Sequence, residues 1–126
     1  MSRLISDLVP ELQDKFHKFA GLMAETGIPF ILTSTYRSQL EQDLLWAKGR
    51  TEPGPKVTWV KVSRHTGRTA FDIAILMDGK PVWDTKVNVN NNEFEDYLEA
   101  GQIGESIGLK WGGRWKTRDL PHFELA

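Results

Sequence analysis

The sequence predicts an α+β fold, in which about three helices pack on a small, mainly antiparallel sheet. The length of 126 residues suits one domain with one hydrophobic core. Helical and strand-like patterns both occur, but they do not alternate as the strand–helix–strand units that build parallel sheets. No internal repeat, linker or low-complexity tract divides the chain. We therefore expect a single domain that spans residues 1–126.

The first third of the chain predicts a helix, a strand and a second helix. Apolar residues recur at spacings of four and three over residues 8–27, with Pro10 in the first turn and Gly27 at the end. The stripe consists of Leu8, Leu12, Phe16, Phe19 and Met23. The stretch PFILTSTY (29–36) is rich in branched and aromatic residues, which predicts a strand.

A second helix is predicted to begin after Ser38, because Ser38 and Glu41 form a capping-box pattern. We expect this helix to stop at Gly49. Its predicted core-facing residues are Leu40, Leu44, Trp46 and Ala47. Proline and glycine in TEPGPK (51–56) predict a loop, and residues 57–62 form a short strand candidate.

The second half predicts a hairpin, a third helix and a final strand. TAFDIAIL (69–76) alternates between two faces, and an Asp-Gly turn within MDGK leads to a returning strand at PVWD. Asn92 and Glu95 form another capping pattern, and the helix that follows is predicted to end near Gly108. Its predicted inner face consists of Phe94, Tyr97 and Leu98. The tail predicts a loop followed by a short strand from His122 to Leu125.

The composition excludes several classes of protein. Hydrophobic residues make up 40% and charged residues 26%, which argues against a disordered chain. The formal net charge of -1 gives no electrostatic case for binding nucleic acid or an anionic membrane. The absence of cysteine excludes disulfides, thiolate catalysis and cysteine-ligated zinc. We find no signal-peptide pattern and no apolar run of ~20 residues, so we expect cytoplasmic accumulation without membrane insertion.

Two histidines and two aspartates are the candidates for chemistry. His65 and Asp72 are seven residues apart, so one straight strand would place them on opposite faces, but a bend at Gly67 would bring them together. Adding His122 gives two imidazoles and one carboxylate, a set typical of a catalytic zinc with a fourth position open for water. Asp119 would remain free to accept a proton. The remaining histidine, His17, is interpreted as an ordinary helix residue.

Five motifs resemble the M15 metallopeptidases, over about residues 33–125. They are Y-R-S (36–38), E-Q-x-x-L-W-A-x-G-R-T (41–51), S-x-H with A-x-D (63–72), W-G-G-x-W (111–115) and D-x-P-H-F-E (119–124). The tail pattern is similar to the branch of L-alanyl-D-glutamate endopeptidases, several of which are phage endolysins. The resemblance implies a Hedgehog/DD-peptidase-like fold. One departure is that Arg68 stands where the family usually has glycine, with Gly67 one residue earlier.

The resemblance also implies roles for individual residues. It maps the zinc ligands onto His65, Asp72 and His122. It maps the general base onto Asp119, and it maps onto Arg37 an arginine that holds a substrate oxygen or the oxyanion. Two further residues are candidates for substrate binding, with alternatives left open. Ser63 either hydrogen-bonds a ligand or caps a turn, and Trp115 either lines a cleft or packs, while packing is favoured for Trp111.

The resulting hypothesis is a zinc-dependent endopeptidase that cleaves the L-Ala–D-Glu bond of the peptidoglycan stem peptide. The expected setting is a monomeric phage endolysin that stays in the host cytoplasm until a holin-type pore releases it to the cell wall. A D,D-carboxypeptidase with the same zinc site is one alternative. A non-catalytic wall-binding domain is another, although degenerate domains are expected to lose a ligand or the base. Another divalent metal also suits histidine and aspartate ligands.

Overall fold

The computed structural model describes residues 1–126 and confirms the predicted α+β class. The helices are α1 (Pro10–Thr26), α2 (Gln39–Ala47) and α3 (Asp96–Ser106). The strands are β1 (Phe30–Ser34), β2 (Ala70–Met77), β3 (Lys80–Val82), β4 (Leu109–Trp111) and β5 (His122–Leu125). Short 3-10 helices lie at Ile5–Asp7 and Gly112–Arg114. None of the helices is both long enough and apolar enough to cross a membrane.

All strand pairs in the single sheet are antiparallel. The strand order is β1-β2-β5-β4, and β3 pairs with β2 beside this path. The first residues of β2 pair with β5, whereas its last three residues pair with β3. The turn between β2 and β3 has positive φ at both Asp78 and Gly79, which confirms the hairpin predicted from the Asp-Gly pair.

The alternation of β2 separates the hydrophobic core from the candidate site. Phe71, Ile73 and Ile75 are fully buried on the face that packs against α1. Phe71 stacks on Phe123 of β5, with 5.4 Å between ring centroids. The predicted stripe of α1 is also confirmed, since all five of its residues are buried. Because successive side chains of a strand point to opposite faces, Asp72 is left on the face away from this core.

The capping box of α2 is confirmed, but its predicted buried face is wrong. The Ser38 hydroxyl accepts from the Glu41 amide, and the Glu41 carboxylate accepts from the Ser38 amide. Leu40 and Leu44 are 69% and 62% exposed, whereas Gln42 is completely buried. This polar side chain can be buried because neighbouring groups form hydrogen bonds with its amide. The spacing of apolar residues in the sequence could not indicate those partners.

Four further details differ from the predictions. Residues 57–62 form a loop instead of a strand, while the strand β4 lies in a segment predicted to be a loop. The cap of α3 is Glu95, which makes no side-chain cap, and Phe94 is 49% exposed. The oxygen of Asn92 accepts instead from the amide of Phe94 in the preceding turn.

Candidate metal centre and catalytic site

The register of β2 and β5 places Asp72 beside His122. The two residues are direct partners across the antiparallel ladder, immediately after the core pair Phe71 and Phe123. The Nδ1 atom of His122 lies 3.0 Å from Oδ1 of Asp72. Adjacent cross-strand side chains on one face are within contact distance, so sheet pairing alone accounts for half of the candidate site.

The second histidine reaches Asp72 through a tight turn that precedes β2. His65 Nε2 lies 3.2 Å from Asp72 Oδ2, so the predicted bend is present. The turn covers residues 64–68 and so includes Gly67, as predicted, while the positive φ of +61° belongs to Arg68. The Arg68 amide donates to the His65 carbonyl and closes the turn.

Arg68 occupies a left-handed conformation, which costs a non-glycine residue about 1–2 kcal/mol. Two contacts of its side chain offset part of this cost. The guanidinium lies 4.0 Å from the centroid of the Tyr36 ring and 3.3 Å from the Asp7 carboxylate. These contacts explain how arginine is accommodated at a position where the family that the sequence resembles usually has glycine.

The hydrogen bonds of His65 determine which ring nitrogen is available to a metal. Its Nδ1 lies 2.9 Å from the carbonyl oxygen of Thr35. A carbonyl oxygen can only accept, so Nδ1 carries the proton and Nε2 presents a lone pair. The Nε2 atom is buried and makes no hydrogen bond, despite its proximity to Asp72. An unsatisfied buried nitrogen aimed at a carboxylate is the arrangement that a metal ion completes.

His122 is oriented by a residue that the sequence analysis missed, Glu124. His122 Nε2 lies 2.9 Å from Glu124 Oε1, and the Glu124 carboxylate lies 3.4 Å from Nε of Arg64. Donation from Nε2 to Glu124 leaves Nδ1 facing Asp72. The two-residue spacing along β5 puts both side chains on one face of the strand, and this signal could have identified Glu124.

Together these residues fit a zinc ion. One ligand atom from each of His65, Asp72 and His122 can be chosen so that all lie within 4.8 Å of one another. Two imidazole nitrogens and one carboxylate oxygen are the three-ligand set of catalytic zinc. Burial raises the pKa of Asp72, but the hydrogen bond to His122 and the proximity of both imidazoles outweigh it and hold that pKa well below its usual range. Asp72 is therefore ionised and ready to bind a cation.

Removing the carboxylate of Glu124 is expected to weaken zinc binding. Glu124→Ala leaves the Nε2–H of His122 without its acceptor, so the ring loses its fixed orientation. We expect a loss of about 10–100-fold in zinc affinity, measured by competition with a chromophoric chelator. Glu124→Gln retains an acceptor oxygen and should lose less. Equal affinities for Glu124→Ala and the unmodified protein would contradict this role.

Zinc affinity is also expected to depend on pH through His122. Burial lowers the pKa of His122, but hydrogen bonds to Asp72 and Glu124 outweigh it and raise the pKa to about 9 in the metal-free protein. Below that pH, zinc must displace a proton from Nδ1. Apparent affinity should therefore fall roughly tenfold for each pH unit from 8 to 6. Chelator competition at these pH values, corrected for protonation of the chelator, measures the slope, and a flat profile would contradict this assignment.

The candidate base, Asp119, lies on the loop that enters β5. Its amide donates to the carbonyl of Gly112 at 2.9 Å, and a Cβ atom on Gly112 would lie only 2.4 Å from the Asp119 carbonyl oxygen. The Asp119 side chain is accessible to solvent, but surrounding protein partly desolvates its carboxyl group and raises its pKa. The Asp72 carboxylate raises it further, while His122, His65 and Arg37 act in the opposite direction.

Arg37 is held close to the same centre. Its amide donates to the His65 carbonyl at 3.3 Å, and its Nη1 donates to Oε1 of Gln42 at 2.7 Å. The Nε atom is buried and has no acceptor. The positive charge of Arg37 lowers the pKa of Asp119, so the guanidinium lies within electrostatic range of the candidate base.

The two remaining substrate-binding candidates differ in what they contact. The Ser63 hydroxyl accepts from the amide of His65, so it caps the turn that carries the histidine. The ring centroid of Trp115 lies 4.9 Å from that of His122, and the residue is 40% exposed, as a cleft wall requires. Trp111 is buried and donates from Nε1 to the Leu120 carbonyl, which agrees with the packing interpretation.

A small pocket of about 160 Å³ adjoins Asp119 and was not predicted from the sequence. Its other lining residues are Trp83, Thr85, Tyr97, Arg118, Leu120 and Pro121. A larger apolar groove lies along the end of α1 and β1 but contains none of the candidate site residues. The smaller pocket contains the candidate base, Asp119, but none of the three candidate metal ligands.

Comparisons with known proteins identify the family and the fold. A peptidase M15 family model described as D-alanyl-D-alanine carboxypeptidase matches residues 57–125. The chain is 36% identical over 124 residues to the peptidoglycan L-alanyl-D-glutamate endopeptidase CwlK of Bacillus subtilis (strain 168), which covers 95% of this chain and 74% of CwlK. The crystal structure of the L-Ala D-Glu endopeptidase ChiX of Serratia marcescens has the same fold, with a TM-score of 0.73 and 21% identity. That match covers 97% of this chain and 83% of ChiX.

Proposed function

Because the chain belongs to the peptidase M15 family, we propose that it is a zinc-dependent endopeptidase that hydrolyses the L-Ala–D-Glu bond of peptidoglycan stem peptides. The observation that carries this proposal is the convergence of His65, Asp72 and His122, whose ligand atoms lie within 4.8 Å. The names of CwlK and ChiX support the choice of bond.

The three ligand residues would hold zinc through His65 Nε2, His122 Nδ1 and the Asp72 carboxylate. When bound, zinc would supply Lewis acidity, which polarises the scissile carbonyl and lowers the pKa of the attacking water toward ~7. The chain keeps the ligand atoms oriented through the Thr35 carbonyl and Glu124. This support matters because a ring free to rotate would bind metal more weakly.

Asp119 would transfer the proton during hydrolysis. Its carboxylate accepts a proton from the attacking water and then delivers it to the nitrogen of the leaving amine. A raised pKa brings this carboxyl group closer to the operating pH, which favours both halves of the transfer. Its exposure to solvent keeps it accessible to a peptide.

Arg37 would stabilise negative charge on the substrate oxygen. Its Nη1 is engaged by Gln42 and its Nε is buried, so Nη2 is the guanidinium donor left for a substrate. A fixed donor directed at developing charge contributes more than a mobile one, because it needs no reorganisation during the reaction. Trp115 and the small pocket beside Asp119 would bind the flanking parts of the stem peptide.

The second candidate function is a D,D-carboxypeptidase, because the matching family model carries that description. The experiment that separates the two is digestion of purified peptidoglycan by the zinc-loaded protein, with products identified by mass spectrometry. New glutamate N-termini that vanish with chelator would support the endopeptidase. Release of free D-alanine would instead identify a carboxypeptidase. A protein that binds zinc but releases no product would favour a wall-binding domain.

We also propose that the biological setting is a phage endolysin, which acts as a monomer and reaches the wall from the host cytoplasm. The support is the similarity of the motifs around Asp119 and His122 to the endopeptidase branch. Expression in a bacterial host together with a holin-type pore should cause lysis. Lysis that is equally rapid for an Asp119→Ala variant would contradict this setting.

A further inference from the structure

We propose that Gln42 is a positioning residue, which fixes the guanidinium of Arg37 and couples it to the loop of residues 58–60. This inference rests on the proposed function, because it concerns the arginine that would stabilise the substrate oxygen. Gln42 lies in the middle of α2 and is 0% exposed. Burying a side-chain amide without hydrogen-bond partners would destabilise the fold, because its polar atoms lose their contacts with water.

The hydrogen-bond partners of the Gln42 amide distinguish its oxygen from its nitrogen. Its Oε1 accepts from Arg37 Nη1 at 2.7 Å, and its Nε2 donates to the Val60 carbonyl at 2.7 Å and to Thr58 Oγ1 at 3.2 Å. The opposite orientation would place an NH₂ group against the guanidinium and a carbonyl oxygen against the Val60 carbonyl. The two partners therefore fix the orientation of the amide, and the amide in turn fixes Arg37.

The position of Arg37 matters because only part of its guanidinium is satisfied by the protein. Gln42 engages Nη1, whereas the buried Nε has no acceptor. Without Gln42, the guanidinium could rotate so that Nε–H found another acceptor or solvent. The accessible part of the guanidinium would then have to move back before it could donate to the substrate oxygen. That movement reduces the stabilisation that Arg37 gives to the transition state.

Other residues hold the same loop without touching Arg37. Gln39 donates to the Lys61 carbonyl at 2.9 Å, and Arg50 donates to the Thr58 carbonyl at 3.1 Å. Gln39 is exposed on the same helix and has the same side chain as Gln42. It is therefore a matched control that removes a contact to the loop while leaving Arg37 in place.

The first test compares Gln42→Met with Gln39→Met on peptidoglycan fragments. Met has a similar length but no hydrogen-bonding amide. We expect Gln42→Met to lower kcat about 10–100-fold with KM and zinc content nearly unchanged, because a hydrogen bond to a charged group is lost. Gln39→Met should change kcat less than about twofold. In an Arg37→Met background, Gln42→Met should cost little more, because its effect acts through Arg37.

The second test does not depend on activity. The Nε–H of Arg37, observed by NMR in the metal-loaded protein, should exchange slowly with solvent in the unmodified chain and in Gln39→Met. It should exchange much faster in Gln42→Met. Gln42→Glu retains an acceptor for Nη1 and should keep the slow exchange. If Gln42→Met fails to fold, fast exchange in a folded Gln42→Glu variant would overturn the proposal.

The proposal is overturned if the Arg37 Nε–H exchanges as slowly in Gln42→Met as in the unmodified chain, or if Gln42→Met and Arg37→Met reduce kcat independently. If the zinc-loaded protein did not hydrolyse peptidoglycan, the proposed function would be wrong. The NMR comparison would still decide whether Gln42 positions Arg37.

Discussion

Replacing Asp119 by alanine is expected to leave zinc bound and to lower kcat by about 10²–10⁴-fold. Asp119 is not among the three residues whose ligand atoms converge, so its removal leaves the metal donors intact. The loss would fall on proton transfer, because the variant has no carboxylate to accept a proton from water and return it to the leaving amine. Hydrolysis of a stem-peptide fragment measures kcat, and elemental analysis measures zinc content.

The matched control for this variant is Asp14→Ala. Asp14 is an exposed aspartate on α1, and its removal should alter neither zinc content nor kcat. Turnover retained by Asp119→Ala would remove Asp119 from the mechanism. Loss of zinc from Asp119→Ala would instead assign it to the metal site.

Replacing His122 by alanine is expected to remove zinc and, with it, all measurable hydrolysis. The variant loses one of three ligands and leaves the carboxylates of Asp72 and Glu124 without the imidazole between them. Each carboxylate then loses one hydrogen-bond partner, although Arg64 still lies beside Glu124 and His65 beside Asp72, so the loss also destabilises the fold. We expect zinc affinity to fall by more than the roughly 100-fold that loss of an outer partner can cost.

His17→Ala is the control for His122→Ala, because His17 is exposed on α1. Both variants are purified, loaded with zinc and dialysed before elemental analysis. His17→Ala should retain one zinc per chain. Full occupancy in His122→Ala would contradict the ligand assignment.

The parts of the fold that follow from local pattern could be predicted from the sequence. The stripe of α1 is long and regular and is confirmed by burial, and Phe71, Ile73 and Ile75 of β2 are buried as predicted, although Ala70 and Ala74 on the other face are buried too. Each pattern extends over several repeats, so one irregular residue does not change the result. The Asp-Gly turn and the Ser38 capping box are also confirmed, because both depend on residues close in sequence.

The buried face of α2 could not be predicted, because it depends on contacts from elsewhere in the chain. Leu40 and Leu44 suggested an apolar face, but Gln42 is buried instead. Its partners are Arg37, which precedes the helix, and residues 58–60 of a loop that follows it. No periodicity within nine residues reveals that a distant loop will satisfy an amide.

The candidate site was predictable in its members and less so in its geometry. The sequence identified His65, Asp72 and His122 as candidate metal ligands, and the structure places them together. The turn that joins His65 to Asp72 includes Gly67, as predicted, but its positive φ lies at Arg68, whose side chain contacts Tyr36 and Asp7. Such compensation depends on the N-terminal segment, which lies far from the turn in sequence.

The central claim is that His65, Asp72 and His122 hold one zinc ion while Asp119 remains free. A crystal structure of the zinc-loaded protein, with anomalous data collected on both sides of the zinc absorption edge, tests it most directly. We expect one strong peak at about 2.0–2.2 Å from His65 Nε2, an Asp72 oxygen and His122 Nδ1, with Asp119 outside bonding distance. A peak bound by Asp119 or Glu124 in place of one of these ligands, or no peak between the two histidines, would contradict the claim.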